Sequence, residues 1–361
     1  MQLLTDIAIG ILTTYLAFTN TLTSEIANSL PSSEAIQTVE QYDGRAPRAI
    51  EKLSSAYESI PKILLDNSAY QGAAVFDATS PKTTTTPVEA LVNIYCTYKT
   101  DEYIRATTGT GYFIDSDGII LTNAHVAQFL LLEGIKGSTQ CIIRTGTPAA
   151  PTYEADLLYI SPAWVQENAQ LINQEHPQGT GERDYALLYV TSGIENKPMP
   201  RTFPSLSFNS DLMTIGMLQD TVYAAGYPAE TLFKESDGNA LLVPKQATTS
   251  ITELMTFSSN LADVFTIAGS DVGEQGSSGG PVVDQGGEAI GLISTRGDDT
   301  QFGKGSLRAI TLSYIDRTIK EETGFTLQQN LGGNLPFRAK LYKDTMIPFL
   351  SNILQKEASA Q

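Results

Sequence analysis

Beyond residue 88, the chain is written in short runs of β-branched and aromatic residues punctuated by turn residues. They are ALVNIYCTY, TGYFI (110–114), GIILTN (118–123), QCIIR (140–144), DLLYI (156–160), DYALLYV (184–190), TVYAAGY (221–227), VFTIAG (264–269), PVVD (281–284) and AIGLIST (289–295). A parallel sheet needs a crossover of a dozen or so residues, usually helical, between successive strands, and no regular helical pattern separates these runs. The central region is therefore expected to be mainly β, an antiparallel barrel or sandwich. DSDG at 115–118 and QGG at 285–287 read as hairpin turns between neighbouring runs. There is no internal repeat at a solenoid or propeller period.

The remaining chain reads differently. The apolar stretch from Leu3 to Phe18 is shorter than the roughly 20 residues of a bilayer-spanning helix, contains Asp6, and has no basic flank before Arg45. Residues 1–20 are thus open between a membrane anchor or uncleaved signal and a packing helix. Residues 21–70 carry apolar positions at helical spacing and are expected to form a helical stalk or subdomain; Thr-rich, charge-poor 71–88 is expected to be a linker. At the other end, DTMIPFLSNILQKEAS predicts an amphipathic helix over 344–359, with Met346, Phe349, Ile353 and Leu354 on one face, packed on the barrel.

Composition limits the chemistry. Acidic residues outnumber basic ones 40 to 23 over 361 residues, for a formal charge of −17, which argues against a nucleic-acid partner. With two cysteines and two histidines, Cys96, Cys141, His125 and His176, neither a disulfide-dense scaffold nor a cysteine-rich zinc site is expected. Cys96 and Cys141 fall on separate strands and are open between buried thiols and a bridge. His176, in a polar segment, reads as solvated.

Three strings stand in the order His, Asp, Ser: GTGYFIDSDGIILTNAHVA (109–127), ERDYALLYV (182–190) and EQGSSGGPVVDQGGEAIGLIST (274–295). His125 lies where a strand gives way to the short helical segment AHVAQFLLL. Asp184 opens a strand that is apolar on both faces, so its carboxylate needs a partner. Gly276, Gly279 and Gly280 allow a tight turn around Ser278. At these residues the sequence resembles the chymotrypsin-like serine peptidases, and most closely their HtrA/Deg-like branch, over about residues 89–318.

That resemblance implies two six-stranded antiparallel β-barrels with a catalytic cleft between them, flanked by an N-terminal helical segment and a C-terminal helix. It implies His125 as general base, Asp184 as orienting acid, Ser278 as nucleophile, and the amides of Gly276 and Ser278 as oxyanion donors. It also puts Val272 at the base of a specificity pocket walled by Ser294 and Thr295, with Arg296 nearby, from which a small or medium apolar P1 residue is expected. VYAAGYP (222–228) resembles the strand between acid and nucleophile, and LRAITLSYI (307–315) is expected to be the last barrel strand. The tail over 319–361 is too short for the PDZ domain of many HtrA relatives.

The activity implied is endopeptidase cleavage of polypeptide substrates, with no metal or cofactor, in a quality-control or maturation role. The expected address is extracytoplasmic, in the periplasm or cell envelope; membrane association through the N-terminal segment and homo-oligomerisation stay open. The rival expectations are a catalytically silent peptidase fold used as a binding module, and a structural envelope protein.

Overall fold

The β-branched runs do form strands, and the strands close on themselves. The structure, a computed structural model, describes residues 85–99, 104–133, 139–173, 181–229, 241–257 and 260–358. The segments expected over 1–70, nearly all of the 71–88 linker, and His176 lie outside the described residues. Among the described residues no helix is long and apolar enough to cross a membrane.

The first barrel comprises β1 (Leu91–Lys99), β2 (Ile104–Asp115), β3 (Ile119–Thr122), β4 (Thr139–Thr145), β5 (Ala150–Ile160) and β6 (Ala186–Gly193), hydrogen-bonded in the closed order β1-β2-β3-β6-β5-β4. The second comprises β7 (Thr221–Gly226), β8 (Lys245–Met255), β9 (Val264–Ile267), β10 (Pro281–Val283), β11 (Ala289–Arg296) and β12 (Leu307–Thr311). Its closed order, β7-β8-β9-β12-β11-β10, repeats the topology of the first barrel. Closure leaves no unpaired strand edge, which suits sequences this rich in β-branched residues. Both barrels belong to one unit of the chain, Ile60–Gln361, which also carries the short helices α1 (Ala124–Ala127) and α2 (Pro162–Asn168).

Apolar side chains fill each barrel. Ile119, Ile120 and Leu121 of β3, and Leu187 and Leu188 of β6, are fully buried; the second core gathers Val222, Ile251, Phe265, Ile267, Val282 and Ile293. Each such side chain contributes about 1.5–3 kcal/mol on leaving water. Both expected hairpin turns are present. Gly118 (φ 89°) donates to Asp115 O at 3.2 Å, and Gly287 (φ 83°) donates to Asp284 O at 3.2 Å.

Three features depart from expectation, and one open alternative is settled. β8 was missed because its residues are mostly half-buried, so polar residues, Thr above all, stand where a core strand would be apolar. The run LRAITLSYI is a strand only to Thr311, whose hydroxyl accepts from the Tyr314 amide at 3.1 Å and caps a helix, α3 (Leu312–Thr323). The C-terminal helix, α4, begins at Leu335 rather than 344 and runs to Ala358. Arg338, Tyr342, Met346, Leu350 and Leu354 of α4 are buried at a spacing of four, whereas Phe349 and Ile353 are half-buried. Tyr342 Oη donates to Ile160 O at 2.7 Å, which ties the helix to the first barrel. Finally, Cys96 and Cys141 are direct partners on adjacent strands β1 and β4, 4.0 Å apart at Cα, and form a disulfide.

Candidate active site

Strand pairing assembles the site. Thr122 at the end of β3 faces Ala186 at the start of β6, so residues just after β3 and just before β6 share one rim of the barrel. His125 stands there on the one-turn helix α1 (Ala124–Ala127), and Asp184 two residues before β6. In the second barrel Pro281 of β10 faces Leu292 of β11, which brings the turn carrying Ser278 beside Ser294. The Gly279 amide donates to Ile293 O, and the Ile293 amide to Gly280 O, both at 2.8 Å.

The Asp184 carboxylate is fully buried and held by three donors. The His125 amide reaches Oδ1 at 2.9 Å; His125 Nδ1 and Ser294 Oγ reach Oδ2 at 2.7 and 2.8 Å. These donors replace the hydration that a carboxylate taken out of water loses. Its position fixes the tautomer: the neutral ring carries its hydrogen on Nδ1 and leaves the Nε2 lone pair available. Asn123 Nδ2 donates to Asp184 O at 2.9 Å and Gln128 Nε2 to His125 O at 2.9 Å, so the backbone of both residues is also tied.

Ser278 sits in a different setting. It is half-exposed, whereas adjacent Ser277 is fully buried and spends its hydroxyl on Val272 O at 2.5 Å. Of these two neighbours, only Ser278 is accessible to solvent. Its Oγ donates to Ser294 O at 3.1 Å, and among the described residues it makes no hydrogen bond to His125. The amides of Gly276 and Ser278 have no acceptor among the described residues, leaving two N–H groups beside the hydroxyl. Two glycines make this turn possible. A Cβ on Gly276 (φ 98°) would lie 2.7 Å from Tyr227 O, and one on Gly279 (φ 91°) 1.9 Å from Thr110 O.

Thr110 of β2, which the sequence reading passed over, joins the two barrels at this turn. Its amide donates to Ser278 O at 2.8 Å, its hydroxyl donates to Gly276 O at 2.7 Å, and that same hydroxyl accepts from the Tyr227 amide at 2.9 Å. Burial pushes the Tyr227 phenol up to about 12, so it stays neutral and donates to Gly146 O at 3.0 Å. Nothing in a lone threonine of a Gly-Thr-Gly strand marks it in advance; Asn123 and Gln128 were likewise unmarked.

Of the expected specificity residues, Val272 is fully buried, its side chain packed in the core of the second barrel with Phe265, Ile293 and Leu307, and its carbonyl accepts from Ser277 Oγ at 2.5 Å. Ser294 turns its hydroxyl to Asp184 and its carbonyl to Ser278, Thr295 is half-buried, and Arg296 is exposed with Nη2 3.5 Å from Gly273 O. Among the described residues, no group of three or more His, Cys, Asp or Glu side chains could hold a metal ion.

Comparison with known proteins adds the following. The trypsin-like peptidase domain family matches residues 109–292, half of the chain, and the match includes His125, Asp184 and Ser278. A search of curated proteins found no match. Similar solved structures include the Rv3671c protease of M. tuberculosis in its active form (21% identity, 70% of this chain and 93% of that chain, TM-score 0.40). They also include Deg5 (16%, 64% and 87%, TM-score 0.41) and an inactive form of Rv3671c (20%, 68% and 98%, TM-score 0.39).

Proposed function

The chain belongs to the family carrying a trypsin-like peptidase domain and is a serine endopeptidase; we propose that it cleaves polypeptide substrates through a triad of Ser278, His125 and Asp184. The observation that carries this reading is the buried Asp184 carboxylate bonded to His125 Nδ1 at 2.7 Å, on the rim that faces Ser278 and its two free amides.

In this mechanism the Ser278 hydroxyl turns about Cα–Cβ from Ser294 O toward His125 Nε2. One neutral hydrogen bond, worth about 1 kcal/mol net, is a small barrier to that turn. His125 Nε2 takes the proton as Oγ attacks the scissile carbonyl carbon, and the carbonyl electron pair moves onto oxygen, where the Gly276 and Ser278 amides receive it. The imidazolium passes its proton to the leaving amine as the C–N bond breaks, leaving an acyl-enzyme on Ser278. Water, deprotonated by His125, then releases the acid product and restores the serine. Asp184 stays ionised throughout and stabilises the imidazolium. His125 carries each proton between serine, leaving amine and water, so the cycle calls for no cofactor.

The setting proposed is extracytoplasmic, with an HtrA-like quality-control or maturation role. The Cys96–Cys141 disulfide supports an oxidising compartment. A small or medium apolar P1 residue, the expectation carried by Val272, stays part of the proposal. A fluorophosphonate probe tests the reading: the wild type should take the label, and Ser278→Ala and His125→Ala, folded by circular dichroism, should not. A folded wild type that takes no label would contradict it.

A further inference from the structure

The residues on either side of Asp184 are both held by helix α3. Arg183 has φ 52°, in the left-handed region that side-chain-bearing residues occupy only when the surroundings hold them there. Its amide donates to Tyr314 Oη at 3.3 Å, and its guanidinium reaches Glu322 Oε1 at 2.7 Å and Glu321 Oε2 at 3.1 Å. On the other side, Tyr185 Oη pairs with Thr318 Oγ1 at 2.8 Å. Tyr314, Thr318, Glu321 and Glu322 all belong to α3.

Glu322 is the centre of this clamp. It is fully buried, and besides Arg183 it accepts from Ser161 Oγ at 2.9 Å and from Tyr159 Oη. Tyr159 and Ser161 lie at the end of β5, where Tyr159 faces Leu187 and Ile160 faces Ala186 at the start of β6. One buried carboxylate therefore joins the end of β5, the residue before Asp184 and α3. The same helix also grips the second barrel, since Arg317 pairs with Asp263, whose other oxygen accepts from the Phe257 amide at 2.9 Å. A buried ion pair is weak evidence for stability, because well-packed apolar residues often do as well. This one instead fixes the direction of one backbone turn.

We propose that Glu322 is a positioning residue of the peptidase: by holding Arg183 in its left-handed conformation, it aims the Asp184 carboxylate at His125. The inference rests on Asp184 being the acid of the triad. A displacement of reacting groups by about 1 Å can cost on the order of 100-fold in rate. Glu322→Gln removes the charge that holds Arg183 and keeps one acceptor oxygen, for Ser161 or for Tyr159, in place of two. The expected result is a fall in kcat of about 10- to 100-fold with KM within twofold. In the proton NMR spectrum, the downfield resonance of the His125 Nδ1 proton should broaden or move upfield.

The double variant Arg183→Met, Glu322→Gln leaves no unpaired buried charge, so it carries the test if the single variant does not fold. It should melt near the wild-type temperature and show the same loss of kcat and the same altered resonance. Wild-type kcat and an unchanged resonance in the folded double variant would overturn the positioning role. The two failures are distinguishable: absence of probe labelling in the wild type strikes the triad, whereas normal labelling with unaltered variants strikes Glu322 alone.

Discussion

The two barrels share one strand order yet bring opposite kinds of structure to the cleft. On the rim of the first, every oxygen of the Asp184 carboxylate has a donor, the His125 ring is held by its Nδ1 bond, and the backbone of both residues is tied by Asn123 and Gln128. On the rim of the second, Ser278 is half-exposed beside two amides without acceptors, and its hydroxyl rests on a carbonyl it must leave. In the proposed mechanism the saturated side keeps the base in one tautomer and one orientation, and the unsaturated side keeps hydrogen-bonding capacity in reserve for a charge that exists only during reaction.

The largest effect is expected from breaking the saturated side. Asp184→Asn should lower kcat by about 10⁴-fold, on the order of 5 kcal/mol in barrier, with the fold kept, because the amide reverses the tautomer preference of His125. Steady-state hydrolysis of a peptide substrate and circular dichroism check this, and a loss under tenfold would remove Asp184 from its role.

A smaller effect should come from loosening the unsaturated side. Thr110→Val keeps the shape but removes the bonds to Gly276 O and from the Tyr227 amide. With the Gly276 peptide freer to turn, kcat should fall about 10- to 100-fold, less than the 10²–10³ typical of deleting an oxyanion donor outright. A kcat within twofold of wild type would show that the turn keeps its shape without Thr110.

The smallest effect concerns stability alone, and sits in the first barrel away from the cleft. Burial pushes the Glu133 carboxyl up to about 7, with Asp156 and Glu154 adding to the shift; the Cys141 amide, donating at 2.5 Å, and Lys343 oppose it. The folded state therefore binds the extra proton between the ordinary 4.5 and about 7, and the stability this gives is lost as pH rises through about 7. Glu167, raised to about 7 by burial and by Glu182, acts in the same direction. Glu133→Gln should flatten the fall of melting temperature between pH 5 and 8 by a few degrees while leaving kcat unchanged. An unaltered slope would mean that Glu133 is ionised in the folded protein at pH 5.

Much of this was legible in the sequence because covalent order and spatial order coincide there. His125, Asp184 and Ser278 each stand at the end of an apolar strand, where alternation and turn residues mark the boundary. Strand pairing then brings His125 and Asp184 within hydrogen-bond distance and sets Ser278 against Ser294, whose hydroxyl bonds to Asp184. The strand β8 was not legible, since half-buried positions tolerate Thr and Glu and leave no apolar pattern. Nor was the end of β12, because LSYI is apolar enough for a strand and only the Thr311 cap turns it into a helix. Thr110, Arg183 and Glu322 were invisible for another reason: each works through partners more than a hundred residues away.

The central claim is that Ser278, and not its buried neighbour, meets the substrate under the control of His125. Its most direct test is mass-spectrometric mapping of the fluorophosphonate adduct on the intact wild-type protein. The account predicts a single adduct on Ser278 that is lost in His125→Ala; an adduct on Ser277, or labelling that persists without the imidazole, would contradict it.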